Sequence, residues 1–422
     1  LLAEFGDDVY EARNQGEEII ASLKFACLLE DSERENRIKM HDVIRDMALW
    51  LACDHGSNTR FLVKDGASIS SVEAYNPAKW KEVEIVSLWG PSIQTLSGKP
   101  DCLSLSTMIV RNTELKNFPD EIFLTANTLG VLDLSGNKRL KELPASIGEL
   151  INLQHLDLSG TDIQELPREL QKLKKLRCLL LNYICNRIVF PMSLISSLLS
   201  LQVFSKLPWE DQCILPDLRE PEETILLQEL ECLEFLQDIS IALFCFSSMQ
   251  VLQQSPKLQR FIRHLLRVIS HFNSMPHVIL FSLLRKMQHL EVLSISISSS
   301  PSLVSDIKEE SPSHDSMYEC IPMNSKLIEH DYNVNLRELS LEGCGMFNLN
   351  WLTCAPSLQL LRIYNCPSLE EVICEEFGHA KNVFSILEIA DLDSLPKLRS
   401  ICSQVLQFPC LKEIVWQIVQ GC

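Results

Sequence analysis

A histidine beside a carboxylate can hold an anion, move a proton or ligate a metal, and the chain sets such a pair at Met40-His41-Asp42. Imidazole titrates near neutral pH and can donate to an anion or a neighbouring domain. Asp42, entering a helix, favours its dipole by about 0.3–1 kcal/mol. The spacing suits a purely structural corner as well as an anion contact. The other histidines are dispersed; His264, His271 and His277 lie closest to one another but lack ligand spacing. No G-x-x-x-x-G-K-[S/T], no G-x-G-x-x-G after a strand, no H-E-x-x-H and no G-x-S-x-G occurs. Catalysis by this chain is not expected, nor is a bound metal.

A second set of polar side chains takes its meaning from repetition. Leu129, Leu132 and Leu134 return 24 residues later as Leu153, Leu156 and Leu158. Asn137 returns as Thr161, Leu143-Pro144 as Leu166-Pro167, and Ile147 as Leu170. Each L-x-x-L-x-L supplies a short strand with alternate side chains inward, and the L-P-x-x-[I/L] segment returns the chain along the other side. One such coil cannot bury its leucines alone, so neighbours stack. Starting points at 83, 105, 129, 153 and 176 lie 22, 24, 24 and 23 apart. After Leu201 the pattern loosens: Lys206 falls on a core position, Leu236-Ile239-Ile241 makes a fair strand, and Leu258-Phe261 a poor one. It recovers at Leu290, Leu336, Leu358, Leu387 and Leu411, for about twelve units. The spacing predicts an α/β solenoid, a leucine-rich-repeat horseshoe, over residues 76–422. A polar, serine-rich insertion is expected at about 298–331.

Stacking aligns the outward strand residues into columns on the concave face. One column runs Asp133, Asp157, Leu180, Ser340, Arg362 and Asp391; a second runs Val131, His155, Cys178, Glu338 and Leu360. A third runs Ser135, Ser159, Asn182, Glu342 and Tyr364. Singly these read as solvated strand residues. Together, as a chemically varied wall, they suit recognition of one protein surface. His155, Asp157, Ser159, Asn182, Glu338, Glu342, Arg362 and Tyr364 are therefore the candidate ligand contacts.

Residues 1–75 lack the repeat. An amphipathic stretch with Ile19, Ile20 and Leu23 on one face leads to a charged hairpin, Cys27–Glu30 against Arg37–Met40. A second helical stretch follows, with Met40, Val43, Ile44, Met47 and Leu51 at helical spacing. Helix, hairpin, helix is the order of a small, mainly α winged-helix domain. It holds 8 Lys plus Arg against 15 Asp plus Glu, a net of −7, which argues against DNA. The whole chain carries 38 basic and 56 acidic residues, net −18, so no nucleic-acid partner is expected.

Sixteen cysteines are scattered without C-x-x-C, there is no N-x-[S/T], no signal-peptide pattern and no apolar run near a membrane span. Reduced thiols in the cytoplasm are expected, as is an upstream continuation, because the chain opens inside a helical stretch. A stand-alone leucine-rich-repeat scaffold, such as a ubiquitin-ligase substrate adaptor, is the alternative, but no F-box-like start supports it.

The segment KMHDVIRDMALWLA, with EARNQGEEIIASLKFACLLE before it, resembles the winged-helix end of the NB-ARC region in plant nucleotide-binding leucine-rich-repeat disease resistance proteins of the coiled-coil class. NCPSLEEVI and LPKLRSIC are similar to later repeats of that class. The resemblance implies an ADP/ATP switch in a full-length receptor, with His41 reaching the ADP phosphate and Met40 and Asp42 supporting that corner. It implies repeats that restrain the upstream nucleotide-binding domain and sense a pathogen effector or a guarded host protein. Oligomers would form on activation, with the missing domains. Residence is expected in the cytoplasm, or at the inner face of the plasma membrane through an upstream N-terminus. The phosphate-binding loop lies outside this chain, so these residues alone should bind no cofactor.

Overall fold

A computed structural model describes residues 9–32, 38–52, 60–65, 80–96, 102–184, 188–208, 220–266, 286–296, 335–374, 384–402 and 407–417. The tract 298–331, expected to be a polar insertion, lies outside the described residues. The chain divides into two compact units, Leu1–Ile214 with Gln228–Ile239, and Leu215–Leu227 with Ser240–Cys422.

The first unit opens with α1 (Val9–Phe25) and the strands β1 (Glu30–Asp31) and β2 (Ile38–Lys39), antiparallel with Glu30 opposite Lys39. Helix α2 (Asp42–Ala52) follows. A parallel sheet then grows in chain order through β3 (Phe61–Asp65), β4 (Ile85–Trp89), β5 (Thr107–Arg111), β6 (Val131–Asp133), β7 (His155–Asp157), β8 (Cys178–Leu180) and β9 (Val203–Lys206). Its register is the repeat itself: Met108, Leu132, Leu156, Leu179 and Phe204 stand side by side and are fully buried. The sheet begins one strand before the first turn expected at Val83, because Phe61–Asp65 pairs with Ile85–Trp89. FLVKD lacks the spaced leucines, so the repeat pattern passes over it.

Behind the strands the L-P segments turn the chain. Helix α3 (Asp120–Thr125) and the 3-10 turns Ala145–Glu149 and Arg168–Lys172 each follow a proline, Pro119, Pro144 and Pro167. Proline presets φ near −65° and has no N–H to leave unpaired at a helix start. Gly148 lets adjacent turns close up, since a Cβ there would sit 2.8 Å from the Glu169 backbone oxygen. Between strand and turn, Asn137 is fully buried and joins two coils. Its Oδ1 accepts from Thr113 N–H at 2.9 Å, and its Nδ2 donates to the Val110 and Leu134 carbonyls at 2.8 and 2.7 Å. Helix α4 (Glu220–Glu231) follows β9, and its Glu229 carboxylate accepts from the Ser193 and Ser196 N–H groups.

In the second unit β10 (Asp238–Ala242), which starts at the boundary, is followed by α5 (Phe246–Gln254), α6 (Pro256–Phe261) and β11 (Ile262–Leu266). Glu223 of α4 caps α5, accepting from Phe244 and Cys245 N–H and the Ser248 hydroxyl. The strand expected from Leu258 and Phe261 is instead a short helix, begun by Pro256 and capped by the Ser255 hydroxyl. The true strand lies four residues on, with Leu265 beside Leu293. Parallel strands continue as β12 (Val292–Ser296), β13 (Glu338–Glu342), β14 (Leu360–Tyr364), β15 (Glu371–Ile373), β16 (Ile389–Asp393), β17 (Ser400–Cys402) and β18 (Glu413–Gln417). β15 and β17 pair separately, on the return side. Cys344 and Cys366, both buried, occupy the place of Asn137, donating to the Glu342 and Tyr364 carbonyls.

Candidate functional site: the strand wall and the Met-His-Asp corner

The Met-His-Asp corner joins β2 to α2. His41 is exposed; its Nδ1 accepts from Val43 N–H at 3.2 Å, and its carbonyl accepts from Arg45 N–H at 2.9 Å. It thereby satisfies one donor of the first helical turn, the role usually taken by Ser or Asp. Asp42, also exposed, pairs with Arg45 at 3.1 Å. The imidazole Nε2 is free of that capping role, so the corner can present a donor outward while the helix start is held. Val43, Met47, Trp50 and Leu51 lie on one side of α2 at 3.6-residue spacing, yet are 65%, 47%, 55% and 58% exposed.

In the first unit the strand face collects the expected residues in register: Asp133 beside Asp157 and Leu180, and Val131 beside His155 and Cys178. Asp133 is nearly buried, and Arg111 from the preceding strand seats its guanidinium on Asp133 Oδ2, with Nε at 2.6 Å. Burial alone would raise that carboxyl; Arg111 and the Ser135 N–H more than offset it and hold it below the usual range. Asp133 in turn raises Arg111. Asp157 departs the other way. Burial pushes its carboxyl up, the neighbouring Asp133 adds to this, and bonds from Ser159 only partly oppose it. Its Oδ1 accepts from Ser159 N–H at 2.8 Å. Burial pushes His155 down, against the pull of Asp157 and Asp133. The Ser159 hydroxyl accepts from Asn182 N–H, and Asn182 Oδ1 accepts from the Ser205 hydroxyl at 2.6 Å and Leu207 N–H at 3.0 Å. These side chains brace one another and still face outward.

Spacing gave no hint of one occupant of this wall. The start of α1 lies on it: Val9 N–H donates to Gln202 Oε1 at 3.0 Å, the Tyr10 hydroxyl to the Gln237 carbonyl at 3.4 Å, and Arg13 pairs with buried Asp238 at 3.6 Å. Cys178 feels both ends of this arrangement. Burial, Asp157 and Asp238 push its thiol far above the ordinary range, while Arg13 opposes them. These contacts join residues about two hundred positions apart, so no local pattern could reveal them.

In the second unit Glu338 stands beside Leu360, Ser340 beside Arg362, and Glu342 beside Tyr364. The Ser296 hydroxyl donates to Glu342 at 2.8 Å. The Tyr364 hydroxyl donates to Asp391; burial and that carboxylate push the phenol up to about 12. Among the described residues no group of three or more His, Cys, Asp or Glu side chains is placed to hold a metal ion. No helix among them is long and apolar enough to cross a membrane.

Parallel strands at a 22–24-residue period, an aliphatic interior, an Asn/Cys turn position and a varied outer strand face define a leucine-rich-repeat solenoid of α/β type. A family profile described as a leucine-rich repeat region matches residues 126–293. The chain is 32% identical over 415 residues to "Probable disease resistance protein At1g12290" of Arabidopsis thaliana, covering 96% of this chain and 43% of that protein. It is likewise 32% identical over 409 residues to "Disease resistance protein RPS5" of the same plant, covering 95% and 43%. Among solved structures, the Leptospira interrogans LRR protein LIC12759 matches with a TM-score of 0.44 at 17% identity, over 84% of this chain and 94% of that one. The chain is thus a relative of plant disease resistance proteins, carrying leucine-rich repeats, and spans 43% of the length of these two.

Proposed function

We propose that this chain is the sensor and regulatory half of an intracellular plant immune receptor. The observation carrying this reading is the 32% identity to disease resistance proteins along 96% of the chain. The strand wall recognises a pathogen effector or a modified host protein through outward residues such as His155, Asn182, Arg362 and Tyr364. The Met-His-Asp corner belongs to a winged-helix domain ahead of β3, closing on a nucleotide-binding domain supplied by upstream chain. There the outward nitrogen of His41 donates to an ADP phosphate, while Asp42 and Arg45 fix the helix start. The exposed apolar side of α2 supports this reading, because such a stripe is normally covered by another element. The seating of α1 on the wall supports a restraint: a ligand reaching that wall meets the helix that precedes the switch.

In a full-length receptor, Asp42→Val should release the restraint and give defence signalling without a pathogen, with a lower ADP content in the purified protein. Unchanged ADP content together with ligand-dependent signalling would overturn the assignment of the corner.

A further inference from the structure

Three buried or nearly buried carboxylates face outward on the strand wall of the first unit: Asp133, Asp157 and Asp238. Two of them carry an arginine of the same chain. Arg111 sits on Asp133 and Arg13 on Asp238. Asp157 is 9% exposed, and among the described residues no cation forms an ion pair with it; Arg111, seated on Asp133, acts on it only at longer range. The register explains the difference. Arg111 reaches Asp133 from 22 positions earlier, one coil over; the residue 22 before Asp157 is Ser135, whose side chain is too short and uncharged. Burying a carboxylate without a cation is costly, and an aspartate stands here although asparagine would hold the same turn. The Ser159 N–H bond to Oδ1 needs only an acceptor, which asparagine also offers.

We infer that Asp157 is the seat for an arginine side chain of a protein partner, docking on the strand wall as Arg111 docks on Asp133. Arg111 shows the geometry that fits: a planar guanidinium lying across the strand faces with Nε and Nη directed to one carboxylate oxygen. An arginine fork matches such a carboxylate better than a lysine point charge. Burial holds His155 below the usual imidazole range, against the pull of Asp157 and Asp133. The inference deepens the recognition role proposed above and rests on it.

Fluorescein-labelled hexa-arginine, titrated into the purified 422-residue chain and followed by anisotropy, tests it. Wild type should bind, and hexa-lysine should bind more weakly. Asp157→Asn should lower affinity roughly tenfold or more, without lowering the unfolding temperature. Ser135→Arg, which places an arginine where Arg111 stands one coil earlier, should block binding to a similar degree while Asp157 is intact. Glu169→Gln, on the return side, removes the same unit of charge and should change affinity less than about twofold. No binding by wild type, equal loss in Asp157→Asn and Glu169→Gln, or unimpaired binding by Ser135→Arg would each overturn the seat. None of these results bears on Asp42→Val, so this inference and the receptor reading fail separately.

Discussion

At the scale of single residues, the wall separates side chains that hold the coil from side chains it can spare. Asn137 bridges two coils from a fully buried position. Asn137→Ala leaves an N–H and two carbonyls without their partner and should cost roughly 2–4 kcal/mol in denaturant unfolding. Asp133 and Asp157 should respond to pH with opposite sign. The folded pKa of Asp133 is depressed, so its stabilisation is present above the ordinary carboxylate range and is lost as pH falls through its folded value. The folded pKa of Asp157 is raised, so the folded state takes up its proton first and gains from it as pH falls. At pH 7, Asp133→Asn should therefore lower the unfolding temperature and Asp157→Asn should leave it level or raise it. Any gain from Asp157→Asn should shrink as pH falls from the raised folded value of Asp157 toward about pH 4, below which the carboxyl is neutral in both states. Thermal scans of the two variants between pH 4 and 8 check this; a shared sign would refute the contrast.

At the scale of elements, the strands were legible wherever leucine spacing was kept, because parallel stacking forces the repeat period to equal the register. Asp133 and Asp157, His155 and Cys178, and Arg362 and Ser340 all stand where spacing sets them. Two elements escaped for local reasons. Phe61–Asp65 holds its place by pairing with β4 rather than by leucines. Leu258 and Phe261 imitate strand spacing inside a proline-started helix. The contact of α1 with the wall was illegible for another reason: an ion pair such as Arg13–Asp238 depends on the packing of distant segments and leaves no periodic trace. Arg13→Glu sets two carboxylates together and should free the start of α1. Amide exchange at Tyr10–Arg13 should speed up several-fold or more, with exchange in β6 and β7 unchanged. Equal acceleration in those strands would mean that α1 is part of the repeat core.

At the scale of the whole molecule, an aliphatic interior supplies rigidity and leaves a wall whose chemistry can vary without endangering the coil. The residues proposed for recognition were legible only as a column of positions. Which of them is braced and which lacks a counter-charge depends on neighbours one coil away, as Ser135 shows for Asp157. The most direct test takes a receptor restored to full length and compares two variants. One replaces His155, Glu342, Arg362 and Tyr364 with alanine; the other is Leu156→Ala, whose buried side chain should cost roughly 2–5 kcal/mol. The quadruple variant should lose ligand-triggered signalling while its unfolding temperature falls less than that of Leu156→Ala. An unfolding temperature lowered as far as in Leu156→Ala, or intact ligand-triggered signalling, would contradict a wall built for recognition.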